Sequence, residues 1–326
     1  MKELTHKKNP YVLIITGPTA SGKTDLSLKI STFFDVEIIN IDVGQFYGPL
    51  SIGTAKPDWK NQLVPHHCFD IINEPKDLSV YEFNKIVLHK INEVWTKEKI
   101  PVLVGGSLFY IKSLFFQPQE LAQVKIEQTD KLKDLSVLQL WEKLNEVDPK
   151  RACEIEKNDA YRINRALQIW QTTGIKPSEY RPKFKPPFKS RILFLNPDKK
   201  ILKERIDTRT KKMIEGGWIK EVENLLGTDW ENFLEVKKLI GYAQIIQWLR
   251  GEQKNLDVLI KIIQTKTWQY AKRQLTFWRA FKKLLEKSMQ QVQKRIKISV
   301  INDLSEKTIK KIKLDILADL DALSNF

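Results

Sequence analysis

Residues 11–30, YVLIITGPTASGKTDLSLKI, determine how the rest of the chain is interpreted. The first six, YVLIIT, are apolar or β-branched and are followed by Gly-Pro, a pattern typical of a buried strand in a parallel sheet. Residues 17–24 then match the pattern GxxxxGKT, and an amphipathic run leads on to residue 30. The stretch therefore predicts a strand, a phosphate-binding loop and a helix.

Such a loop suits a diphosphate or triphosphate for reasons of backbone geometry and charge. Its glycines let successive backbone N–H groups point into one concavity, and the following helix adds the positive end of its dipole. Lys23 supplies a point charge, and the Thr24 hydroxyl is a ligand for Mg²⁺. A chance glycine-rich surface turn is disfavoured because both flanks are those the motif requires. The motif is typical of nucleotide-binding and ATP-binding proteins, but it does not specify the reaction.

Charge indicates a polyanionic partner. The chain has 326 residues, enough for about two domains, and its 55 lysines and arginines against 40 acidic residues give a net charge of +15. Nucleic acid is the commonest polyanion that such a surface attracts. Lysine-rich, solvated helix faces are the alternative, and charge alone does not decide between the two.

Cysteine usage and hydropathy indicate the compartment. Cys68 and Cys153 lie far apart and without CxxC spacing, which argues against a disulfide framework or a cysteine-based zinc site. The N-terminal residues are polar and charged, and no apolar run approaches about 18 residues. These patterns predict a cytoplasmic protein without a signal peptide or a membrane span.

Further apolar runs extend the sheet. Residues 35–42, 100–104, 190–197 and 297–303 are predicted strands that alternate with helices. The fold predicted is α/β, a P-loop NTPase-like parallel sheet covered by helices, with ligands at the carboxyl ends of its strands.

A helical insertion interrupts this sheet. Apolar residues recur at helical spacing between residues 117 and 189, and no buried strand is evident there. The predicted organisation is therefore residues 1–116 as the first part of the core, 117–189 as a helical insertion, and 190–326 as the second part of the core with C-terminal helices. The exit, residues 176–191, mixes basic residues, aromatics and prolines, which suits either RNA or a solvated linker.

The helix predicted at residues 265–285 carries both aromatic and basic residues. Trp268, Phe277 and Trp278 recur at helical spacing, which favours core packing over a base-stacking platform.

The motifs, taken together and in order, resemble those of the tRNA dimethylallyltransferases, also called tRNA isopentenyltransferases. The similarity spans about residues 11–279 and looks like the short bacterial form, without a C-terminal zinc finger. The matching segments are GPTASGKT at 17–24, DxxQxY at 42–47, IGTAKP at 52–57, HHxxD at 66–70, VGG at 104–106, NDxxRxxRAL at 158–167, RIDxR at 205–209, IGY at 240–242 and QYAKRQ at 269–274.

The resemblance implies a reaction and its participants. The family transfers a dimethylallyl group from dimethylallyl diphosphate to the exocyclic N6 amine of the adenosine 3′-adjacent to the anticodon in tRNA, releases pyrophosphate and uses Mg²⁺. The P-loop would then hold a leaving group rather than a phosphoryl donor, and binding that leaving group would itself be catalysis. The partners implied are tRNA and dimethylallyl diphosphate, and we expect a monomer.

The resemblance also implies the site residues. The reacting groups expected are Asp42, Arg209, Lys23 and Thr24, with Mg²⁺ at Thr24. The donor diphosphate is expected at Gly17, Pro18, Thr19, Ala20, Ser21, Gly22, Lys23 and Thr24. The tRNA is expected at Asp42, Val43, Gly44, Gln45, Ser107, Gln123, Tyr161, Arg162, Ile163, Asn164 and Arg165.

Asp42 also has a physical claim to a role, because it ends a predicted buried strand, where a carboxylate is costly unless it is paired or working. His66 and His67 lack further ligands, so a structural or tRNA-side role is favoured over zinc. Two positions depart from the family's usual pattern: Val43 replaces a serine, and Trp268 replaces an arginine.

Three other functions share some of these features. A nucleotide or small-molecule kinase would be expected to carry further arginines or a lid over the γ-phosphate. A non-catalytic RNA-binding module would not need the phosphate loop or the carboxylate. A prenyltransferase acting on free adenylate would not need a large basic insertion.

Overall fold

The computed structural model of the protein describes residues 11–117, 135–180, 182–251, 255–290 and 295–324. The chain forms two compact units. Unit 1 is built from the chain before Ser113 and after Pro186, and unit 2 is Ser113–Pro186. No helix in these ranges is long and apolar enough to cross a membrane.

The described part of the chain contains eight strands and twelve α-helices. In order they are β1 (Tyr11–Thr16), α1 (Lys23–Ser31), β2 (Val36–Asn40), β3 (His66–His67), α2 (Val80–Thr96), β4 (Ile100–Val104), α3 (Leu108–Phe115), β5 (Phe116–Gln117), α4 (Val137–Val147), α5 (Pro149–Cys153), α6 (Ala160–Thr173), β6 (Lys183–Phe184), β7 (Lys189–Leu195), α7 (Lys199–Glu215), α8 (Trp218–Glu223), α9 (Asp229–Lys237), α10 (Tyr242–Leu249), α11 (Leu256–Met289), β8 (Ile296–Ile301) and α12 (Glu306–Ser324).

The sheet of unit 1 has six parallel strands in the order β3-β2-β4-β1-β7-β8. All six residues of β1 are buried, as expected for a strand that has neighbours on both edges and helices on both faces. This architecture confirms the predicted α/β class and the four further predicted strands, which are β2, β4, β7 and β8. β3 is only two residues long and was not predicted.

Helices α1 and α12 pack against one cluster of the sheet core. This cluster joins β1, β2, β7 and β8 to Leu26 and Ile30 of α1 and Ile312 and Ile316 of α12. Elsewhere, the ring of Trp278 on α11 stacks on Phe194 of β7 with centroids 4.1 Å apart, and both rings are buried. Trp278 is therefore part of the core, as its helical spacing predicted.

Unit 2 is a small helical bundle with its own core. Leu140 and Leu144 of α4 pack against Ala152, Ile155, Ile163, Ala166 and Leu167. The helix ends follow local sequence rules: Ser136 and Gln139 form a capping box before α4, Asp159 caps α6, and Gly174 ends it in a left-handed conformation. An antiparallel pair, β5 and β6, joins the entry and exit segments of the unit.

Two aromatic residues of the basic exit segment, Phe184 and Phe188, pack against other aromatic rings. Phe184 contacts Phe116 across the β5–β6 pair, with centroids 5.1 Å apart. Phe188 is buried against Trp95. These two rings pack in local cores, whereas Lys176, Lys183 and Lys185 of the segment are exposed.

Candidate active site

The phosphate loop lies between β1 and α1, as the sequence predicts. Gly17 has φ +149°, and a Cβ at this position would lie 2.6 Å from the carbonyl oxygen of Leu195, so only glycine fits. Gly22 has φ +93° and precedes α1 without a side-chain cap. The first amides of α1 are therefore left for a ligand at the positive end of the helix.

Two buried hydroxyls at the loop support an anion site. The Oγ1 of Thr16 and the Oγ of Ser21 are buried and have no hydrogen-bond partner among the described residues. A buried donor without a partner is costly, and a bound phosphate oxygen would satisfy it. These hydroxyls fit the chemistry of a diphosphate.

Three charged groups act on one another beside this loop. The Nζ of Lys23 donates to the carbonyl oxygens of Gly17, at 3.2 Å, and Pro18, at 2.9 Å. Burial lowers the pKa of Lys23 to about 8; the charge of Asp42 opposes this shift and the charge of Arg209 adds to it. Burial likewise lowers the pKa of Arg209 on α7, against the charge of Asp42. Cations from α1 and α7 therefore face one carboxylate at the end of β2.

Asp42 is held by its local backbone. Its side chain caps the short 3₁₀ turn Val43–Phe46 by accepting from the amide of Gly44 at 3.3 Å. The Oδ1 of Asn40 accepts from the amide of Asp42 at 2.9 Å, and the Nδ2 of Asn40 donates to the carbonyl oxygen of Cys68 at 3.0 Å. The carboxylate therefore has a defined position at the carboxyl end of β2.

The turn after β4 closes over Asp42. A Cβ on Gly105 would lie 2.6 Å from the amide nitrogen of Asp42, and one on Gly106 would lie 3.7 Å from its Oδ2. The hydroxyl of Ser107 accepts from the amide of Val43 at 3.3 Å. The structure thus brings Ser107 against the Asp42 turn, and Val43 takes part through its backbone amide.

Gln274 of α11 joins the loop to this turn, a role that the sequence analysis missed. Its Oε1 accepts from the amide of Thr19 at 2.9 Å, and its Nε2 donates to the carbonyl oxygen of Gly106 at 2.9 Å. One helical turn earlier, burial and the charge of Asp42 raise the pKa of Tyr270. The motif QYAKRQ contains both residues four positions apart, which is the spacing that could have indicated a shared face.

The remaining residues predicted to bind tRNA differ in their exposure to solvent. Tyr161, Arg162 and Arg165 are exposed on α6 of unit 2, whereas Ile163 is fully buried in the core of that unit. Gln123 lies outside the described residues.

The histidine pair is engaged in structural contacts. The Nδ1 of His66 lies 2.7 Å from the carbonyl oxygen of Val64, and the Nε2 of His67 lies 2.7 Å from a carboxylate oxygen of Glu37. Among the residues that the structure describes, no cluster of His, Cys, Asp and Glu could hold a metal ion.

Comparison with known proteins identifies the family of the chain. Residues 45–281 match the family described as IPP transferase. A tRNA dimethylallyltransferase of Pseudothermotoga lettingae is 34% identical over 279 residues, which are 83% of this chain and 87% of that protein. One from Fervidobacterium nodosum is 37% identical over 277 residues, 84% of this chain and 89% of that protein.

Solved structures give the same result. A full-length tRNA isopentenylpyrophosphate transferase from Bacillus halodurans is 27% identical with a TM-score of 0.65, over 97% of this chain and 99% of that chain. A eukaryotic dimethylallyltransferase acting on tRNA is also 27% identical, with a TM-score of 0.79 over 97% of this chain and 80% of that one. These matches confirm the resemblance drawn from the motifs, and the chain belongs to the IPP transferase family of tRNA dimethylallyltransferases.

Proposed function

We propose that the chain transfers a dimethylallyl group from dimethylallyl diphosphate to the N6 amine of the adenosine 3′-adjacent to the anticodon in tRNA, and releases pyrophosphate. The observation that carries this proposal is the convergence, within unit 1, of a phosphate loop, two cations and a carboxylate. The relatives named tRNA dimethylallyltransferase support the same reaction.

The reaction breaks the bond between the allylic carbon and the diphosphate oxygen and forms a bond from that carbon to N6. The electron pair of the broken bond leaves with pyrophosphate, so negative charge grows on the leaving oxygen. Lys23, Arg209 and the first amides of α1, which lack a side-chain cap, are placed to stabilise that charge. The proton leaves N6 as the new bond forms, and Asp42 is the carboxylate available to accept it.

Mg²⁺ fits the first turn of α1. The Thr24 side chain is exposed there and offers a hard oxygen ligand beside the phosphate loop. When bound, the ion would neutralise part of the diphosphate charge. Thr24 and the donor's own phosphate oxygens would hold it.

The RNA substrate matches the chain's charge. The net charge of +15 attracts a polyanion, and α6 displays Tyr161, Arg162 and Arg165 to solvent. Arg162 forms only a loose ion pair with Asp159, at 3.4 Å on an exposed helix, which leaves its guanidinium accessible to phosphate. We also propose that the protein acts as a monomer, because one chain supplies the whole phosphate loop and its charged neighbours. Because its proposed substrate is tRNA, we propose that it acts in the cytoplasm.

One assay tests the proposal. The protein is incubated with unmodified tRNA, Mg²⁺ and dimethylallyl diphosphate labelled in the allyl group, and in parallel with ATP labelled in the γ-phosphate. The proposal requires allyl label in RNA and pyrophosphate in solution, at equal amounts. Transfer of γ-phosphate without allyl transfer would identify a kinase and overturn it.

A further inference from the structure

The turn at residues 51–55 is held by a carboxylate from a distant helix. Glu221 of α8 accepts from three consecutive backbone amides, those of Ser51 at 3.0 Å, Ile52 at 2.7 Å and Gly53 at 3.1 Å. It also accepts from the hydroxyl of Tyr242 at 2.7 Å. Successive amides that converge on one anion form a nest, and here a side chain of the protein fills it.

Two glycines next to this contact pack so closely against aromatic rings that no side chain would fit at either position. A Cβ on Gly53 would lie 2.2 Å from the Nε1 of Trp218 and 2.4 Å from the ring of Tyr242. A Cβ on Gly241 would lie 1.9 Å from the ring of Trp218. The two rings are buried and meet edge to face at 5.6 Å. The turn, α8 and the start of α10 are therefore fixed to one another.

The same turn orients the side chain of Gln45. Its Nε2 donates to the carbonyl oxygens of Thr54, at 3.1 Å, and Ala55, at 3.2 Å. These two acceptors decide which way the amide faces and use both of its N–H bonds. The Oε1 of Gln45 is then the atom left for a ligand, and as a pure acceptor it pairs only with an N–H or O–H donor.

Gln45 stands close to the proposed base. It belongs to the 3₁₀ turn Val43–Phe46 that Asp42 caps, and its own amide donates to the carbonyl oxygen of Asp42 at 3.0 Å. An acceptor fixed beside a carboxylate suits the amino edge of a nucleobase rather than a phosphate, because a phosphate would be repelled by Asp42.

We propose that Glu221 is a positioning residue for RNA recognition. Its carboxylate holds the backbone amides of residues 51–53, and the turn that these residues form holds the side-chain amide of Gln45. The Oε1 of Gln45 then accepts from an N–H donor of a base at the modified position of the tRNA. The inference rests on the proposed function, since it takes tRNA as the substrate. Glu221 touches neither substrate and acts through the turn and Gln45.

The test compares Glu221→Gln with Glu223→Gln. The first substitution removes the charge and sets an NH₂ group against amide donors, whereas Glu223 lies on the same helix, is exposed and pairs only with Lys220 among the described residues. We expect Glu221→Gln to raise the KM for tRNA roughly ten-fold, the value of about one well-formed hydrogen bond, with the KM for dimethylallyl diphosphate within about two-fold of the parent. Glu223→Gln should match the parent in both constants.

A double-mutant cycle with Gln45→Ala separates positioning from simple stability. If Glu221 acts through Gln45, adding Glu221→Gln to Gln45→Ala should change the KM for tRNA by less than about two-fold. Multiplicative effects, or an equal rise in the KM of both substrates, would overturn the proposal. Should Glu221→Gln fail to fold, Tyr242→Phe, which removes one of the four contacts to the carboxylate, must raise the KM for tRNA alone.

The role of Glu221 can also be tested by RNA binding alone, without measuring the transfer reaction. If the parent transfers no allyl group, the proposed function fails. The variants are then compared by their dissociation constants for an unmodified anticodon stem-loop RNA. Weaker binding by Glu221→Gln than by Glu223→Gln supports positioning, and equal binding refutes it.

Discussion

Raising the pH should weaken diphosphate binding through Lys23. Burial lowers the pKa of this lysine to about 8 in the ligand-free protein, so its charge is lost over a range in which an ordinary lysine stays protonated. A diphosphate prefers the charged amine and raises its pKa when bound. Affinity is therefore fully present below pH 8 and falls as the pH rises through that value, by about ten-fold between pH 7 and pH 9.

The assay is calorimetric titration of pyrophosphate at several pH values with Mg²⁺ held constant. Pyrophosphate itself titrates in this range, so the parent is compared with Lys23→Arg, whose side chain stays charged throughout. The ratio of the two affinities isolates the lysine, because the ligand's own protonation affects both proteins equally. Lys23→Ala should bind pyrophosphate more weakly than the parent at pH 7 while keeping its melting temperature, because the lysine gives its charge to the ligand and little to the core.

A flat ratio from pH 7 to pH 9 would refute the reasoning. It would mean either that Lys23 keeps its charge in this range or that its amine does not meet the diphosphate. The Lys23→Ala variant separates the two explanations: unchanged pyrophosphate affinity in that variant assigns the failure to the contact, and weakened affinity assigns it to the pKa.

Other substitutions test the remaining groups of the site. Asp42→Asn should keep the affinities for tRNA and donor but lower single-turnover transfer by at least about two orders of magnitude, because an amide does not accept the N6 proton; a rate within a few-fold of the parent would leave Asp42 a positioning role only. Arg209→Ala should lower kcat more than it raises the KM for the donor, since the charge it meets grows as pyrophosphate departs, and a defect in KM alone would contradict this. Reversing the charges of Arg162 and Arg165 together should weaken tRNA binding and flatten its salt dependence while donor binding stays unchanged; an unchanged salt slope would place the RNA elsewhere.

Local signals account for what the sequence predicts well. β1, the loop and α1 follow one another between Tyr11 and Ser31, and each is determined by its local sequence: an apolar run, glycines at positive φ, then a helix start. The same holds for the capping box that starts α4 and for Gly174 at the end of α6. Such elements need no knowledge of the tertiary structure.

Long-range contacts account for what it does not. Gln274 contacts Thr19, and Glu221 contacts residues 51–53, across long stretches of chain. The spacing of Gln274 from Tyr270 indicates a shared helix face but no partner, and nothing in the local sequence distinguishes Glu221 from the solvated polar residues of any amphipathic helix. A motif match also does not show which of its residues are exposed. Ile163 lies within a motif that the family pattern links to RNA, yet its side chain packs in the core of unit 2.

The order of strands in unit 1 has a consequence for synthesis on the ribosome. β1 lies between β4, which precedes unit 2 in the chain, and β7, which follows it. A nascent chain therefore carries a strand of apolar side chains with one edge unpaired until all of unit 2 has emerged. Unit 2, with its own core and local contacts, can fold during that interval. Slowing translation across residues 113–186 should lengthen this exposure and increase aggregation of the nascent protein without altering any residue of the finished one.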